Sequence, residues 1–444
     1  MHRLEGRGRA LWTMAARAAA AGLGLAACSA TPTATITITT GDELDALSRA
    51  PAPTTLVVET IDTSGGAQEV ARSALPAGDV ISLGDRSRTD VGALRVTALD
   101  GAGKTLLRGE TLYVQFGALE DTSLEVFVQR TGELARLPRA SMALDVPRLG
   151  IAVGRYVVAA SGPTLQLYDM LLLKPIAGYP ALPRPARSLV TFGSAAVVID
   201  EQGATALDLS SLQASEVTAP AGGSFAEVAG GATVTLPDGS SYVVGGTRQS
   251  GGPSQRVLTI SRQGTLGFAT LATPREGACA TWVEGRGLVV VGGSASGPGA
   301  EVLAPGTAQG AGLAYPPDAV KGCAASSLDA SHVLVAGGTG STADVAGAAP
   351  ARVLDLACGA ACAAATWPGA MPLVRAEAFA LAAGAALVAG DDATGASRVF
   401  RVSAAGTTEI ALKAPRRGAR LVALPIDGAA AIVGGAASIE QYAE

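Results

Sequence analysis

Seven times between Tyr156 and Gly435 the chain runs through three apolar residues into a pair of small or acidic ones. The copies are Tyr156-Val157-Val158-Ala159-Ala160, Val197-Val198-Ile199-Asp200-Glu201, Tyr242-Val243-Val244-Gly245-Gly246, Val289-Val290-Val291-Gly292-Gly293, Leu334-Val335-Ala336-Gly337-Gly338, Leu387-Val388-Ala389-Gly390-Asp391 and Ala431-Ile432-Val433-Gly434-Gly435. The residue after each triplet falls at 159, 200, 245, 292, 337, 390 and 434, so successive steps are 41, 45, 47, 45, 53 and 44. A period of this length means one small supersecondary unit repeated, none of which can bury its apolar surface alone. The unit is not helical: 57 glycines and 24 prolines punctuate the 444 residues, and glycine and proline break helices.

The neighbours of each triplet recur as well. Upstream lie tight-turn signals such as Leu236-Pro237-Asp238-Gly239 and Leu424-Pro425-Ile426-Asp427-Gly428, where Asp-Gly supplies the positive φ of a hairpin. Downstream comes a short strand pattern, as in Arg256-Val257-Leu258-Thr259-Ile260 and Arg352-Val353-Leu354-Asp355-Leu356. Then a further strand runs into a proline–arginine pair: Pro183-Arg184, Pro274-Arg275, Pro415-Arg416, with Trp367, Met371, Pro372 and Arg375 at the same phase. Strand, turn, apolar strand, Gly-Gly, strand, strand describes a four-stranded blade. It resembles the kelch repeat, in the divergent form of secreted bacterial proteins, over roughly residues 132–444. That resemblance implies an all-β, seven-bladed β-propeller. Its glycines stand where side chains would crowd the next blade. The last unit lacks a fourth strand, and Gly132–Arg139 looks like a fourth strand with no first three. The spacing predicts that the strand near Leu134–Leu137 pairs with the one near Ile439–Tyr442 and closes the ring, so that no edge is left open.

The start of the chain reads as an address. Arg3, Arg7, Arg9 and Arg17 precede an apolar stretch, Ala18–Ala27, too short to span a bilayer. It ends in Leu25-Ala26-Ala27-Cys28, which resembles the bacterial lipobox. The resemblance implies a signal peptide over 1–27, lipidation of Cys28 as the new N-terminus, and, with Ser29 rather than Asp next, sorting to an outer membrane. Residues 28–53, rich in Ser, Thr, Ala and Pro, read as a flexible tether. Residues 54–131 show period-two patterning with an Asp100-Gly101 turn, which predicts a small β-sandwich of Ig-like class.

Charge and rare residues narrow the chemistry. The formal charge is −5, and removing residues 1–27 takes away four arginines and one glutamate, giving −5 − 3 = −8. There is no basic excess for nucleic acid. The two histidines are His2 and His332. A galactose-oxidase-like copper centre of histidines and tyrosines is therefore not expected on this ring; no metal and no cofactor is expected, and His332 reads as a turn or surface residue. Asp200-Glu201, Asp355 and Asp391-Asp392 read as turn residues rather than a calcium loop. Four cysteines remain beyond Cys28. Cys358 and Cys362 read as a disulfide stapling an Ala/Gly-rich loop. Cys279 and Cys323 fall in first strands of successive units, one residue out of phase, which leaves open an inter-blade disulfide or two buried thiols.

No catalytic residue is identifiable. The expectation is an envelope-anchored lipoprotein whose non-catalytic propeller binds a protein or glycan partner, attached to the membrane through its lipid alone. The alternative is a propeller enzyme acting on carbohydrate, a metal-free lyase or isomerase. A charged cluster in the central channel would favour the enzyme. The inward strands read as mostly Ala, Val, Leu and Thr, which favours binding. Within a binding reading, the loops after each second strand, 247–254, 294–299, 339–350 and 392–396, are rich in Gly, Ser and Thr and suit a polar ligand.

Overall fold

A computed structural model describes residues 33–75, 80–82, 87–119, 122–141, 149–177, 179, 181–248 and 251–444. Residues 1–27, read as a signal peptide, and Cys28 lie outside the described residues. Among the described residues, apart from three single 3-10 turns, Phe116–Leu119, Phe225–Glu227 and Ala382–Gly384, the regular structure is strand.

The repeat region forms seven four-stranded antiparallel sheets among the described residues. The first strands of the sheets are Leu149–Val153, Ser188–Phe192, Ala232–Thr235, Cys279–Val283, Ala324–Ser327, Arg375–Ala380 and Arg420–Ala423. Each packs beside the next, and the last packs beside the first, so the sheets stand in a closed ring with these strands innermost. This is a β-propeller arrangement. Six sheets take their strands in chain order; the seventh borrows its outer strand. Leu134–Arg136 pairs with Glu440–Ala443 in the register Leu134↔Tyr442, Ala135↔Gln441, Arg136↔Glu440.

The apolar triplets are second strands, and their burial explains their composition. Gly287–Val291 is buried at every position. Val289 and Val291 pack with Val333 and Val335 of the following sheet. Leu288 and Val290 pack with Val244 and Val257 of the preceding one. Both faces of each strand are covered, so the strand reads as an unbroken apolar run. The core of the ring is thus a circle of clusters between sheets, and the channel is not part of it.

The Gly-Gly pairs close those inter-sheet seams. Gly292 and Gly293 have φ of +78° and +72°. A Cβ at Gly292 would lie 2.5 Å from the Val320 carbonyl oxygen, and one at Gly293 2.7 Å from that of Glu276. The Gly293 N–H donates to Val320 O at 2.8 Å and the Glu276 N–H to Gly293 O at 3.0 Å. One dipeptide therefore ties the segment entering its own sheet to the segment entering the next.

Before the ring, the chain builds a second β unit of two sheets around one core. Val80–Ser82, Thr33–Thr39 and Ser123–Phe127 make the smaller sheet. Ala67–Ala74, Thr55–Asp62, Val91–Leu99, Thr105–Glu110 and Gln129–Arg130 make the larger, with Val114–Gln115 added beside Val91–Leu99. Ile36, Val58, Leu94, Val96, Leu107, Phe116 and Val126 fill the space between. This corrects the expectation of a flexible tether over 28–53. Thr33–Thr39 is a strand, paired in parallel with Ser123–Phe127, and Ile36 is buried. Its Thr/Ile alternation is a half-buried strand pattern that the Ser/Thr/Ala/Pro composition obscured. The Arg130 guanidinium further donates to the carbonyls of Ala46, Arg49 and Pro51, which fixes the following turns to the same unit.

Candidate functional site

The two faces of the ring are unequal. The N-terminal unit sits on the face that carries the hairpin turns between first and second strands. There Arg108 lies 3.6 Å from Asp427, Leu171 packs against the core of the N-terminal unit, and the buried Tyr168 hydroxyl donates to Pro138 O at 2.7 Å. The cavity left between the two units, lined by Glu125, Phe127, Met170, Leu173 and Ile426 among others, measures about 10 Å³. That holds at most one water.

The other face carries the loops after the second strands together with the segments joining sheets, and they are stitched to each other. Thr247 Oγ1 donates to Glu276 Oε1 at 3.2 Å, and Lys321 Nζ to Glu276 Oε2 at 2.5 Å. Lys321 and Thr339 exchange backbone bonds of 2.9 and 3.0 Å. Arg417 Nη1 reaches Thr394 O at 3.2 Å. Inside the loops, carboxylates collect backbone donors. Asp344 accepts from Gly340 and Ser341, each at 3.1 Å. Asp392 accepts from the Thr394 hydroxyl and the N–H groups of Thr394 and Ala396, and the first of these does most to hold its pKa below the usual carboxylate range. The Lys321 ammonium does the same for Glu276. Loop 339–350 is thus a self-bonded projection, with Val345 69% exposed at its tip.

Just inside this mouth the channel wall carries charge. Of all residues on the seven innermost strands, only Arg375, Glu377 and Arg420 are charged, and the three meet at one seam. Glu377 Oε1 accepts from Arg420 Nη1 at 2.6 Å and from Arg375 Nη1 at 3.4 Å, while its Oε2 accepts from Leu421 N at 2.7 Å. Arg375 also forks onto Asp391 Oδ2 at 2.9 and 2.7 Å and reaches Ala419 O at 2.6 Å. The wall is mostly Ala, Val, Leu and Thr, as the sequence indicates, and this seam is its charged exception. Composition summed over strands hid the cluster; the signal available was a charged residue at innermost-strand phase, present in two units of seven.

The proline–arginine pairs, read only as repeat markers, prove to be clasps between sheets. Arg275 and Glu301 are both fully buried. The Arg275 Nε and Nη2 donate to Glu301 Oε1 at 3.0 and 2.8 Å, and its remaining donors reach Gly292 O, Gly299 O and Pro298 O. Glu301 also accepts the Ala272 and Thr273 N–H groups. Arg416 repeats the arrangement with Glu440, Gly434 O and the Lys413 and Ala414 N–H groups. Arg184 finds Asp200 instead, at 2.8 Å. Arg275 and Arg416, both fully buried, hold structure and present nothing to a ligand.

Both cysteine pairs are bridged. Cys358–Cys362 has a Cα–Cα distance of 5.7 Å and Cys279–Cys323 one of 5.4 Å. The phase argument against the second pair fails because Cys323 lies just ahead of Ala324–Ser327, after Gly322 at φ +72°. Strand alternation does not govern its direction. His332 opens the second strand His332–Ala336 and is half-buried, its Nδ1 2.9 Å from Asp329 Oδ2. The N–H of Ser331 and then the His332 ring keep Asp329 below the usual carboxylate range. Asp355 caps Ala357 N at 2.8 Å and Asp200 caps Gln202 N at 2.7 Å, both in turns. Among the described residues no three His, Cys, Asp or Glu side chains come together as metal ligands.

No protein-family profile and no curated protein matches the chain. A chain from a solved structure described as a crystal structure of a mitotic checkpoint complex overlaps 70% of this chain and 95% of its own length, at 11% identity and a TM-score of 0.43. At that score the overlap carries no argument about site or function; the ring described above rests on strand pairing.

Proposed function

We propose that this chain is a lipid-anchored envelope protein in which a seven-bladed, kelch-type propeller, set on an Ig-like unit, serves as a non-catalytic module binding a protein or glycan partner. The observation that carries the reading is the contrast between the ring's two faces. One is occupied by the N-terminal unit. The other presents polar loops that are held rigid by their own carboxylate-to-backbone bonds, and rigid scaffolds with polar loops are where recognition is commonly carried. Cys28, at the end of the lipobox-like segment, would hold the chain at the outer membrane.

The charged seam in the channel is the one observation favouring the alternative, an enzyme acting on carbohydrate. Its acid does not suit the part. Glu377 is engaged on both oxygens, by two guanidinium groups and a backbone N–H, which leaves neither oxygen free to act as a general acid or base. The binding reading is tested by replacing 339–350 with a minimal turn and measuring retention on immobilised envelope polysaccharide and on a panel of glycans. A loss confined to the loop variant supports it. Turnover of any polysaccharide by the parent chain, abolished by Glu377→Gln, would establish the enzyme instead. Anchoring is tested by Cys28→Ser, which should abolish lipid labelling; undiminished labelling would remove the lipoprotein assignment.

A further inference from the structure

Charge on the innermost strands is confined to two neighbouring sheets, and the innermost strands of the other five carry none. Leu149–Val153, Ser188–Phe192, Ala232–Thr235, Cys279–Val283 and Ala324–Ser327 carry no ionisable side chain other than the disulfide-bonded Cys279. Close packing of neighbouring sheets therefore does not require Arg375, Glu377 and Arg420. Putting charge in a channel wall costs desolvation that Ala or Val would avoid.

Within the seam the two arginines differ. Arg375 is engaged on all three nitrogens: its donors go to Asp391, Glu377 and Ala419. It holds Glu377, and Asp391 is held in turn by the Ser397 hydroxyl and the Gly418 N–H. Arg420 is open. Its Nη1 goes to Glu377, while its Nε is buried with no hydrogen-bond partner. Its Cβ lies at the seam with the first sheet, where Gly150 offers no side chain; a Cβ built there would stand 3.4 Å from that of Arg420. The guanidinium nevertheless bonds to the sixth sheet. The side chain thus crosses the channel edge of its own strand, and it is 20% exposed there. A guanidinium N–H without an acceptor is unfavourable, and a planar oxyanion at the exposed part of the side chain would supply one on a small turn of the guanidinium toward the channel. The Nε/Nη edge of arginine matches a carboxylate in two-point geometry.

We infer that Arg420 is the anchor of a carboxylate subsite at the channel mouth, positioned by Glu377 and Arg375, and that it takes the uronate end of an acidic glycan. The loops around the channel mouth offer hydroxyls and backbone groups that suit sugar hydroxyls. This names the ligand class of the binding module proposed above and rests on that reading.

The test uses the full chain and D-glucuronate as probe, with glucose as the uncharged control and an acidic peptide of equal charge as the competing source of carboxylate. Binding is followed by calorimetry and by the Arg420 Nε–H resonance. Glucuronate should bind saturably and shift that resonance, with glucose inert. Arg420→Met should weaken binding roughly tenfold or more, and Arg420→Lys should fail to restore it, because a point charge lacks the fork. Glu377→Gln removes the anion that competes for Arg420 and should tighten binding several-fold; a merely structural Glu377 would not do that. The proposal is overturned by absence of saturable glucuronate binding, by an Arg420→Met variant that binds like the parent, or by a peptide that binds through Arg420 when glucuronate does not. Retention of an envelope glycan that survives Arg420→Met would overturn this subsite and leave the binding module standing. Glucuronate binding in a chain that retains no macromolecule would do the reverse.

Discussion

Replacing Arg275 with alanine removes one half of a buried ion pair and leaves the other in place. Glu301 would remain fully buried with only the Ala272 and Thr273 N–H groups facing it, at 2.6 and 3.0 Å. Breaking a buried pair from one side costs about 3–5 kcal/mol, because the surviving charge is uncompensated. The carbonyls of Gly292, Pro298 and Gly299 lose a donor as well. Each is worth on the order of 1 kcal/mol, less than additively because they share one side chain. The expected loss is about 4–6 kcal/mol, a large part of what holds a domain folded. Urea unfolding read by fluorescence is suitable, since Trp282 stands on the innermost strand of the sheet that contains Glu301. The double variant Arg275→Met, Glu301→Leu removes both charges and retains volume. It should be less destabilised than Arg275→Ala, and the cycle should show coupling of several kcal/mol. A loss below about 1 kcal/mol in Arg275→Ala, or a double variant as damaged as the sum of the singles, would refute the clasp reasoning. Arg416 with Glu440 is the internal replicate and should behave alike.

The remaining predictions concern the bridges, one carboxylate and the seam. Removing Cys279–Cys323, which closes a separation of 44 residues, should cost about 4 kcal/mol on loop entropy. Removing Cys358–Cys362, with a separation of 4, should cost about 2 kcal/mol; unfolding of the two Cys→Ser pairs checks the order, and an inverted order would count against it. The Ser210 hydroxyl, followed by the N–H groups of Ser210 and Ser211, holds Asp208 down to about 2, against an ordinary 3.8. Its folded pKa is depressed, so its contribution is complete above the ordinary value and lost as pH falls through about 2. Carboxyl NMR should show that midpoint, and Ser210→Ala should raise it. Deleting 132–139 removes the borrowed outer strand of the seventh sheet. It should expose the edge of Glu440–Ala443 and promote association, read by light scattering; a monomeric deletion of unchanged stability would contradict the pairing.

The ring was legible because its signal is repetitive. Triplets such as Val289-Val290-Val291 are apolar since both faces are covered, and Gly292-Gly293 recurs since a neighbouring carbonyl occupies the place of a side chain. Physical demands that repeat leave a pattern in the residues. What did not repeat was hard to read. Thr33–Thr39 was hidden by a composition typical of linkers, although its isoleucines alternate. Cys279 and Cys323 defeated a phase argument because one of them lies off the strand. Glu301 and Glu440, half of each clasp, sit at equivalent strand positions as ordinary-looking surface acids, and only their burial reveals them. The Arg375–Glu377–Arg420 seam comes from two separate units and is assembled by the ring, so no local window contains it.

The borrowed strand also fixes an order of events. Leu134 and Tyr442 are partners in a single ladder, yet synthesis and any export of the chain deliver one some three hundred positions ahead of the other. Joining two points that far apart on a flexible chain would cost roughly 5 kcal/mol in closure entropy. The six intervening sheets reduce that cost by stacking first and carrying the ends together. The final ladder is accordingly expected to form last and to open first, and hydrogen exchange there should report the earliest breathing of the ring. Because Leu134–Arg136 continues directly from the N-terminal unit, that unit rides on the latch: a pull on the N-terminal unit would be felt at the one place where the circle can come apart.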